Sequence, residues 1–539
     1  MRRLVARPDV LAKVRNQKES ASMRQNDSQK SSRSSLVVAL GLVLVFTLSA
    51  CQIPLLPAVR SAAPADSNVA PVVAVTPPSR ASQPAQAQPA AATQDYTAKL
   101  QIQPAHAPVG ATVAVVGSGY TPGANVNLVW YSASGSYLVQ DGSEFVGERF
   151  TPRSQVITTV AANSSGNLQT QLNVPVGFGG SHDLRGQVNG KEVSQSSLMV
   201  DPTFSLTPRE GPVGTPVELK IVGVDSRTNV NTWHVLYDNH YLGFMSAVTT
   251  NGTATAHFRI AGPVGDHQIS VWHNSINPIP YLNFQQGPFK DVPVGKFQFN
   301  VTSDRGLVTQ QVEDFSATDN PWPIDSPTSG NLQLTVDRGT VGQATTLHGS
   351  DLPANAQLTL RWWTMIGNRV SNTGFSPESR SLGTVQTGAD GTLVKDLAIP
   401  DDLGGQHRLE LLQGDKVVAA TGVVIEPSIV SVSPTTVQAG DTVQIHLKGV
   451  GWTTYENTYA ATYDDSYIGY VCGFSTNGDV QFSVIATGAP GTHLIDLYPT
   501  IYKGQDAQPK IYSIPQLTYA SDHPVRITPA IRMTIEITK

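Results

Sequence analysis

A chain of 539 residues is long enough for several separate hydrophobic cores, and its 46 Gly and 37 Pro suit short strands and turns better than helices. The net charge is -5, and without the first 50 residues 27 Lys plus Arg face 38 Asp plus Glu, a net of -11. That balance argues against a nucleic-acid partner, which is gripped through clustered basic side chains.

Residues 1–35 are polar and basic, Leu36 to Ala50 is apolar, and the stretch closes on Leu48-Ser49-Ala50-Cys51. This order predicts an export signal over residues 1–50, with an apolar part shorter than the ~20 residues of a membrane span. Met23 is an internal start that leaves Arg24, Lys30 and Arg33 ahead of the apolar part, so the start codon, Met1 or Met23, stays open. The end of the segment resembles the lipobox of bacterial lipoproteins. The resemblance implies lipidation of Cys51 with more than one palmitate-like chain, hence stable anchoring to the cell membrane or outer membrane on the extracytoplasmic side. The competing expectation is an ordinary secretory signal with a coincidental cysteine. The other cysteine, Cys472, would then have no disulfide partner and reads as a small buried hydrophobe.

From residue 51 to 97 the chain is rich in Pro, Ala, Gln and Ser, and is expected to act as a disordered tether. Beyond it the sequence repeats. Gly180-Ser181-His182-Asp183-Leu184 returns as Gly405-Gln406-His407-Arg408-Leu409, and at nearly the same offset Tyr237-Asp238-Asn239-His240-Tyr241-Leu242-Gly243 returns as Tyr463-Asp464-Asp465-Ser466-Tyr467-Ile468-Gly469. Each half divides again at Val109-Gly110, Val213-Gly214, Val341-Gly342 and Ala439-Gly440. The expected fold class is therefore all-β, four tandem immunoglobulin-like β-sandwiches arranged as a duplicated pair: residues 98–201, 202–301, 331–426 and 427–539, with 302–330 as a linker. Alternation such as Val443-Gln444-Ile445-His446-Leu447 predicts strands, and Asn189-Gly190, Asn251-Gly252, Asp390-Gly391 and Asn477-Gly478 predict tight hairpins. Gly117-Ser118-Gly119-Tyr120 and Gly449-Val450-Gly451-Trp452, each after an alternating strand, resemble the IPT/TIG modules of bacterial surface proteins, from which Gly349-Ser350-Asp351-Leu352 departs. That resemblance implies a spacer, adhesion or accessory binding role.

Three features are candidates for chemistry. A Gly-x-His element recurs at His182, His267, His407 and His493, and recurrence in every module points to a role in the fold. Tyr237, Asp238 and Tyr241, with Tyr463, Asp464 and Tyr467, are read either as a cross-strand aromatic pair over a three-residue hairpin loop or as a sugar platform, since aromatic faces stack on pyranose rings and carboxylates accept hydroxyl hydrogen bonds. The stretch from Tyr498 through Tyr512 to Pro524 is aromatic and Pro-rich, as binding loops are. No cofactor and no metal loop is expected, and no nucleophile elbow or phosphate loop occurs. The leading expectation is a non-enzymatic envelope protein whose partner is the membrane, a carbohydrate or another surface protein. The alternative is an extracytoplasmic hydrolase or metal-dependent enzyme using the Asp, His and Tyr of the last module.

Overall fold

The computed structural model describes residues 95–140, 144–227, 231–273, 294–306, 308, 310–313, 329–368, 374–451, 458–500, 514–524 and 529–539. The export signal, Cys51, the tether up to residue 94, linker residues 314–328 and Tyr512 lie outside the described residues.

Module 1 runs through β1 (Lys99–Gln103), β2 (His106–Pro108), β3 (Thr112–Ser118), β4 (Asn125–Gln140), β5 (Glu144–Ala161), β6 (Leu168–Asn173), β7 (Gly180–Val188) and β8 (Lys191–Asp201). A three-stranded sheet, β1-β3-β6, faces a five-stranded one, β2-β8-β7-β4-β5. The first strand is split between the sheets, with β1 antiparallel to β3 and β2 parallel to β8, an immunoglobulin-like arrangement. In β3, Val113 and Val115 point inward and their neighbours outward, and each such buried side chain contributes roughly 1.5–3 kcal/mol.

Module 2 repeats the plan with β9 (Thr203–Thr207), β10 (Glu210–Gly211), β11 (Pro216–Val222), β12 (Thr232–Tyr237), β13 (His240–Ser246), β14 (Thr253–Arg259), β15 (Gly265–His273) and β16 (Val294–Val301). After β17 (Gln311–Val312), module 3 comprises β18 (Asn331–Leu334), β19 (Arg338–Thr340), β20 (Ala344–Ser350), β21 (Gln357–Asn368), β22 (Gly374–Gln386), β23 (Leu393–Ala398), β24 (Gly405–Gln413) and β25 (Lys416–Glu426). Module 4 comprises β26 (Ser428–Ser433), β27 (Thr436–Gln438), β28 (Thr442–Lys448), β29 (Tyr459–Tyr463), β30 (Ser466–Val471), β31 (Val480–Ile485), β32 (Gly491–Pro499) and β33 (Ile531–Thr538). The three-stranded sheets are β14-β11-β9, β18-β20-β23 and β26-β28-β31; the larger ones are β10-β16-β15-β12-β13, β19-β25-β24-β21-β22 and β17-β33-β32-β29-β30, with β27 also on β33.

Two expectations need correction. The chain after module 2 does not run straight to module 3: Gln311 and Val312 pair with Arg532 and Ile531, so this part of the expected linker adds a strand to module 4. Of the four glycine turns, Asn189-Gly190 closes a tight hairpin between Val188 and Lys191, whereas Asn251-Gly252, Asp390-Gly391 and Asn477-Gly478 lie where the chain passes from the larger sheet to the smaller.

Modules 1, 3 and 4 each enclose a core, around Trp130, Trp362 and Tyr459. The core of module 2, around Trp233 and Phe258, continues into module 4 through Leu494, Tyr498, Leu517, Tyr519 and Ala530. Four independently closed cores are therefore not what the chain builds. The cause lies in β32, whose residues from Thr492 to Pro499 are all buried because one face packs in module 4 and the other against module 2. Its copy β15 alternates between buried and more exposed positions.

Neighbours within each half also meet closely. A Cβ on Gly179 would lie 1.9 Å from the carbonyl oxygen of Gly223, and one on its copy Gly404 would lie 2.1 Å from that of Gly449. Only glycine permits these approaches.

Candidate functional site at the module joints

The four histidines share one geometry. The ring nitrogens of His182 lie 2.9 and 2.8 Å from the carbonyl oxygens of Tyr131 and Phe178, and those of His407 lie 3.0 and 2.8 Å from the carbonyl oxygens of Trp363 and Leu403. Each ring stacks on the buried tryptophan of the neighbouring strand, His182 on Trp130 at 4.8 Å and His407 on Trp362 at 4.6 Å. In modules 2 and 4 a tyrosine replaces the tryptophan as stacking partner and a carboxylate replaces one carbonyl. His267 stacks on Tyr237 and its Nδ1 lies 2.6 Å from Asp238; His493 stacks on Tyr463 and its Nδ1 lies 2.6 Å from Asp464. Burial disfavours the imidazolium of His493, but the hydrogen bond and charge of Asp464 outweigh it and raise this histidine above its ordinary value.

The Tyr-Asp elements form a different turn from the expected one. Tyr237 pairs with His240 and Tyr463 with Ser466, so the loops are two residues long, and Asp238, Asn239, Asp464 and Asp465 all have positive φ. Tyr237 and Tyr241 consequently do not oppose each other. Tyr237 and Tyr463 point into their cores, where their hydroxyls donate to the carbonyls of Ala261 at 2.6 Å and Thr487 at 2.8 Å. Tyr241 and Tyr467 instead meet across the joint, edge to face at 6.5 Å, in a cluster with Phe244, Ile514 and Tyr137. Asp238 and Asp464 accept hydrogen bonds from the backbone N–H of Gln268 and Leu494 at 2.8 and 2.9 Å. Tyr498 is fully buried between the modules.

Sequence reading missed the centre of that joint. Asp496 bonds the Arg259 guanidinium on one side and lies 3.1 Å from Arg532 on the other; Arg532 in turn lies 2.8 Å from Glu313, and its guanidinium sits 4.6 Å over the Tyr498 ring. Asp465 reaches across from the β29–β30 turn and accepts the N–H of Ala261 at 3.0 Å. Burial first, and the charge of Asp496 second, push the Asp465 carboxyl well above the ordinary range. Two arginines, Arg259 and Arg532, face Asp496 and Glu313 there. The available signal was the run His493-Leu494-Ile495-Asp496-Leu497-Tyr498, apolar at both parities and so marked for burial on both faces.

The segment 514–524 fastens the other side of the joint. Asp522, fully buried, accepts the N–H groups of Val248 and Thr249 at 2.9 and 2.7 Å and the hydroxyl of Tyr137 at 2.9 Å, linking modules 4, 2 and 1. At the corresponding joint between modules 3 and 4 a cleft of about 330 Å³ remains, lined by Thr364, Met365, Ile366, Glu378, Ser379, Arg380, Ser475 and Asn477. Among the described residues, no three His, Cys, Asp or Glu side chains gather as a metal site would require.

No known protein-family model matches the chain, and no curated protein matches its sequence. Solved structures that resemble it include Escherichia coli alpha-2-macroglobulin activated by porcine elastase (9% identity, 75% of this chain and 42% of that one, TM-score 0.13). A putative membrane anchored protein from Corynebacterium diphtheriae (11%, 61% and 89%, TM-score 0.17) and murine CEACAM1b (14%, 38% and 99%, TM-score 0.13) are others. The chain thus spans less than half the length of the E. coli chain it matches.

Proposed function

We propose that the protein is a non-enzymatic envelope lipoprotein of the IPT/TIG-like kind, held to a membrane through acylated Cys51, whose interlocked sandwiches present a binding surface to a partner outside the cytoplasm. The observation that carries the address is the order of a basic segment, an apolar stretch and Leu48-Ser49-Ala50-Cys51, followed by a Pro/Ala-rich run ahead of the first strand. Support for a non-enzymatic role comes from the use made of the last module's polar side chains: Asp464, Asp465, Asp496 and Asp522 all hold backbone amides, a histidine or arginines. A sugar platform built on Tyr237, Tyr463 or Tyr498 has less support, since these rings are buried. Growth with an alkyne-tagged palmitate tests the proposal: the wild-type chain is expected to take up label and partition into detergent, and Cys51→Ser to do neither. A wild-type chain without label would overturn the lipoprotein reading.

A further inference from the structure

The joint between modules 2 and 4 gathers three carboxyl groups, Asp465, Asp496 and Glu313, around two guanidiniums, Arg259 and Arg532. Both arginines are committed. Arg259, on β14, donates to Asp496 through Nε and Nη2 and to the Met533 carbonyl at 2.9 Å. Arg532, on β33, donates to Glu313, just after β17, at 2.9 Å and to the Tyr519 hydroxyl at 3.2 Å, and stands 3.1 Å from Asp496. Asp465 is the carboxyl left over. It is 1% exposed; one oxygen accepts the Ala261 N–H at 3.0 Å, and the other, Oδ1, is buried with no hydrogen-bond partner among the described residues. An ionised carboxylate there is desolvated without a cation of its own, which a folded interior strongly disfavours.

The groups that face Asp465 act in the same sense. Asp464 on its own turn and Asp496 on β32 are like charges, Arg259 is the opposing one, and Tyr237 on β12 and Tyr498 on β32 are phenols. Burial, then the charges of Asp496 and Asp464, hold the proton of Asp465 well above the ordinary carboxyl range, against the smaller pulls of the Ala261 N–H and Arg259. His493 bonds Asp464 and the Ala489 carbonyl, both in module 4, so its own proton acts inside that module. The equivalent turn of module 2 carries Asn239, also at positive φ, so the turn itself does not require an acid.

We propose that Asp465 is a proton-operated latch on this joint: protonated, it lies across on Ala261 and the two modules stay closed; ionised, it turns out to water and the joint opens. The sign follows from linkage. In the closed joint the proton is kept over a range of pH in which an exposed carboxyl, with its ordinary value of 3.8, has lost it. Each pH unit in that range shifts the balance toward the open form by about tenfold. The latch is complete below 3.8 and is lost as pH rises through the value held in the closed joint. Surfaces buried between modules 2 and 4, Tyr498 among them, thus become accessible as the surroundings turn less acid.

Hydrogen exchange on the full chain over a series of pH values, with each rate divided by that of an unstructured amide at the same pH, tests it. In the wild type the protection of the Ala261 amide is expected to fall by up to about tenfold per pH unit above 3.8. In Asp465→Asn, whose side-chain oxygen accepts the same N–H, it is expected to stay level. Val115 in the core of module 1 and Ile445 in that of module 4 are expected to hold steady in both. A level wild type, or a slope that survives Asp465→Asn, would overturn the latch. So would a parallel loss at Ala261, Val115 and Ile445, since the chain would then be unfolding as a whole. Asp464→Asn is expected to leave the slope at Ala261 in place; a slope abolished by it would assign the proton to His493 instead.

Discussion

Asp464 and Asp465 sit side by side in one turn, and the stability held through His493 and that held through the Asp465 carboxyl both fall as pH rises. His493, raised above its ordinary 6.5 by Asp464, contributes stability that is complete below pH 6.5 and is lost as pH rises through the raised value. Asp464→Asn is expected to cost about 1.5–3 kcal/mol in acid, the scale of a hydrogen bond to a charged group, and less above that value. Urea denaturation across pH measures the gap, and a gap independent of pH would contradict the pair. Asp465, raised by burial, is neutral in the fold at low pH; its contribution is complete below 3.8 and declines as pH rises toward its raised value. Module 2 carries Asn239 at the same positive φ, so Asp465→Asn is tolerated by the turn, and the variant is expected to equal or exceed the wild type in stability at neutral and alkaline pH. A variant clearly less stable than the wild type at alkaline pH would show that the carboxylate is needed.

At the scale of elements, the strand alternation, the tandem modules and the recurrent histidine were legible because each depends on near neighbours in sequence. The role of the Tyr-Asp element was less so: a two-residue turn and a three-residue turn share the same residues, and the choice sends Tyr241 to the opposite face from Tyr237. The segment 514–524 reads in sequence as a binding loop, but its partner is β13, in the other half of the chain, and no local pattern reports such a pairing. Two substitutions probe it. Gly243→Ala, by meeting the Pro515 carbonyl, is expected to cost about 1–3 kcal/mol and to open residues 514–524 to protease. Asp522→Ala leaves the buried amide of Val248, and the more exposed one of Thr249, without their acceptor and is expected to cost about 1–3 kcal/mol. Unchanged protease resistance in both variants would place the fastening elsewhere.

Within the unit Ala91–Lys539, the sequence suggests beads, whereas the cores of modules 2 and 4 run together. The joint combines apolar burial with the arginine and carboxylate cluster, and removing one member of such a cluster strands its partner, at about 3–5 kcal/mol. Arg259→Ala is therefore expected to loosen modules 2 and 4 together. Hydrogen exchange tests this most directly. The amides of Leu517 and Phe244, bonded across the joint, are expected to exchange slowly and at matching rates in the wild type, and both to quicken in Arg259→Ala while Val115 in module 1 stays protected. Rapid exchange at Leu517 in the wild type, with Phe244 still protected, would mean that the modules hang independently.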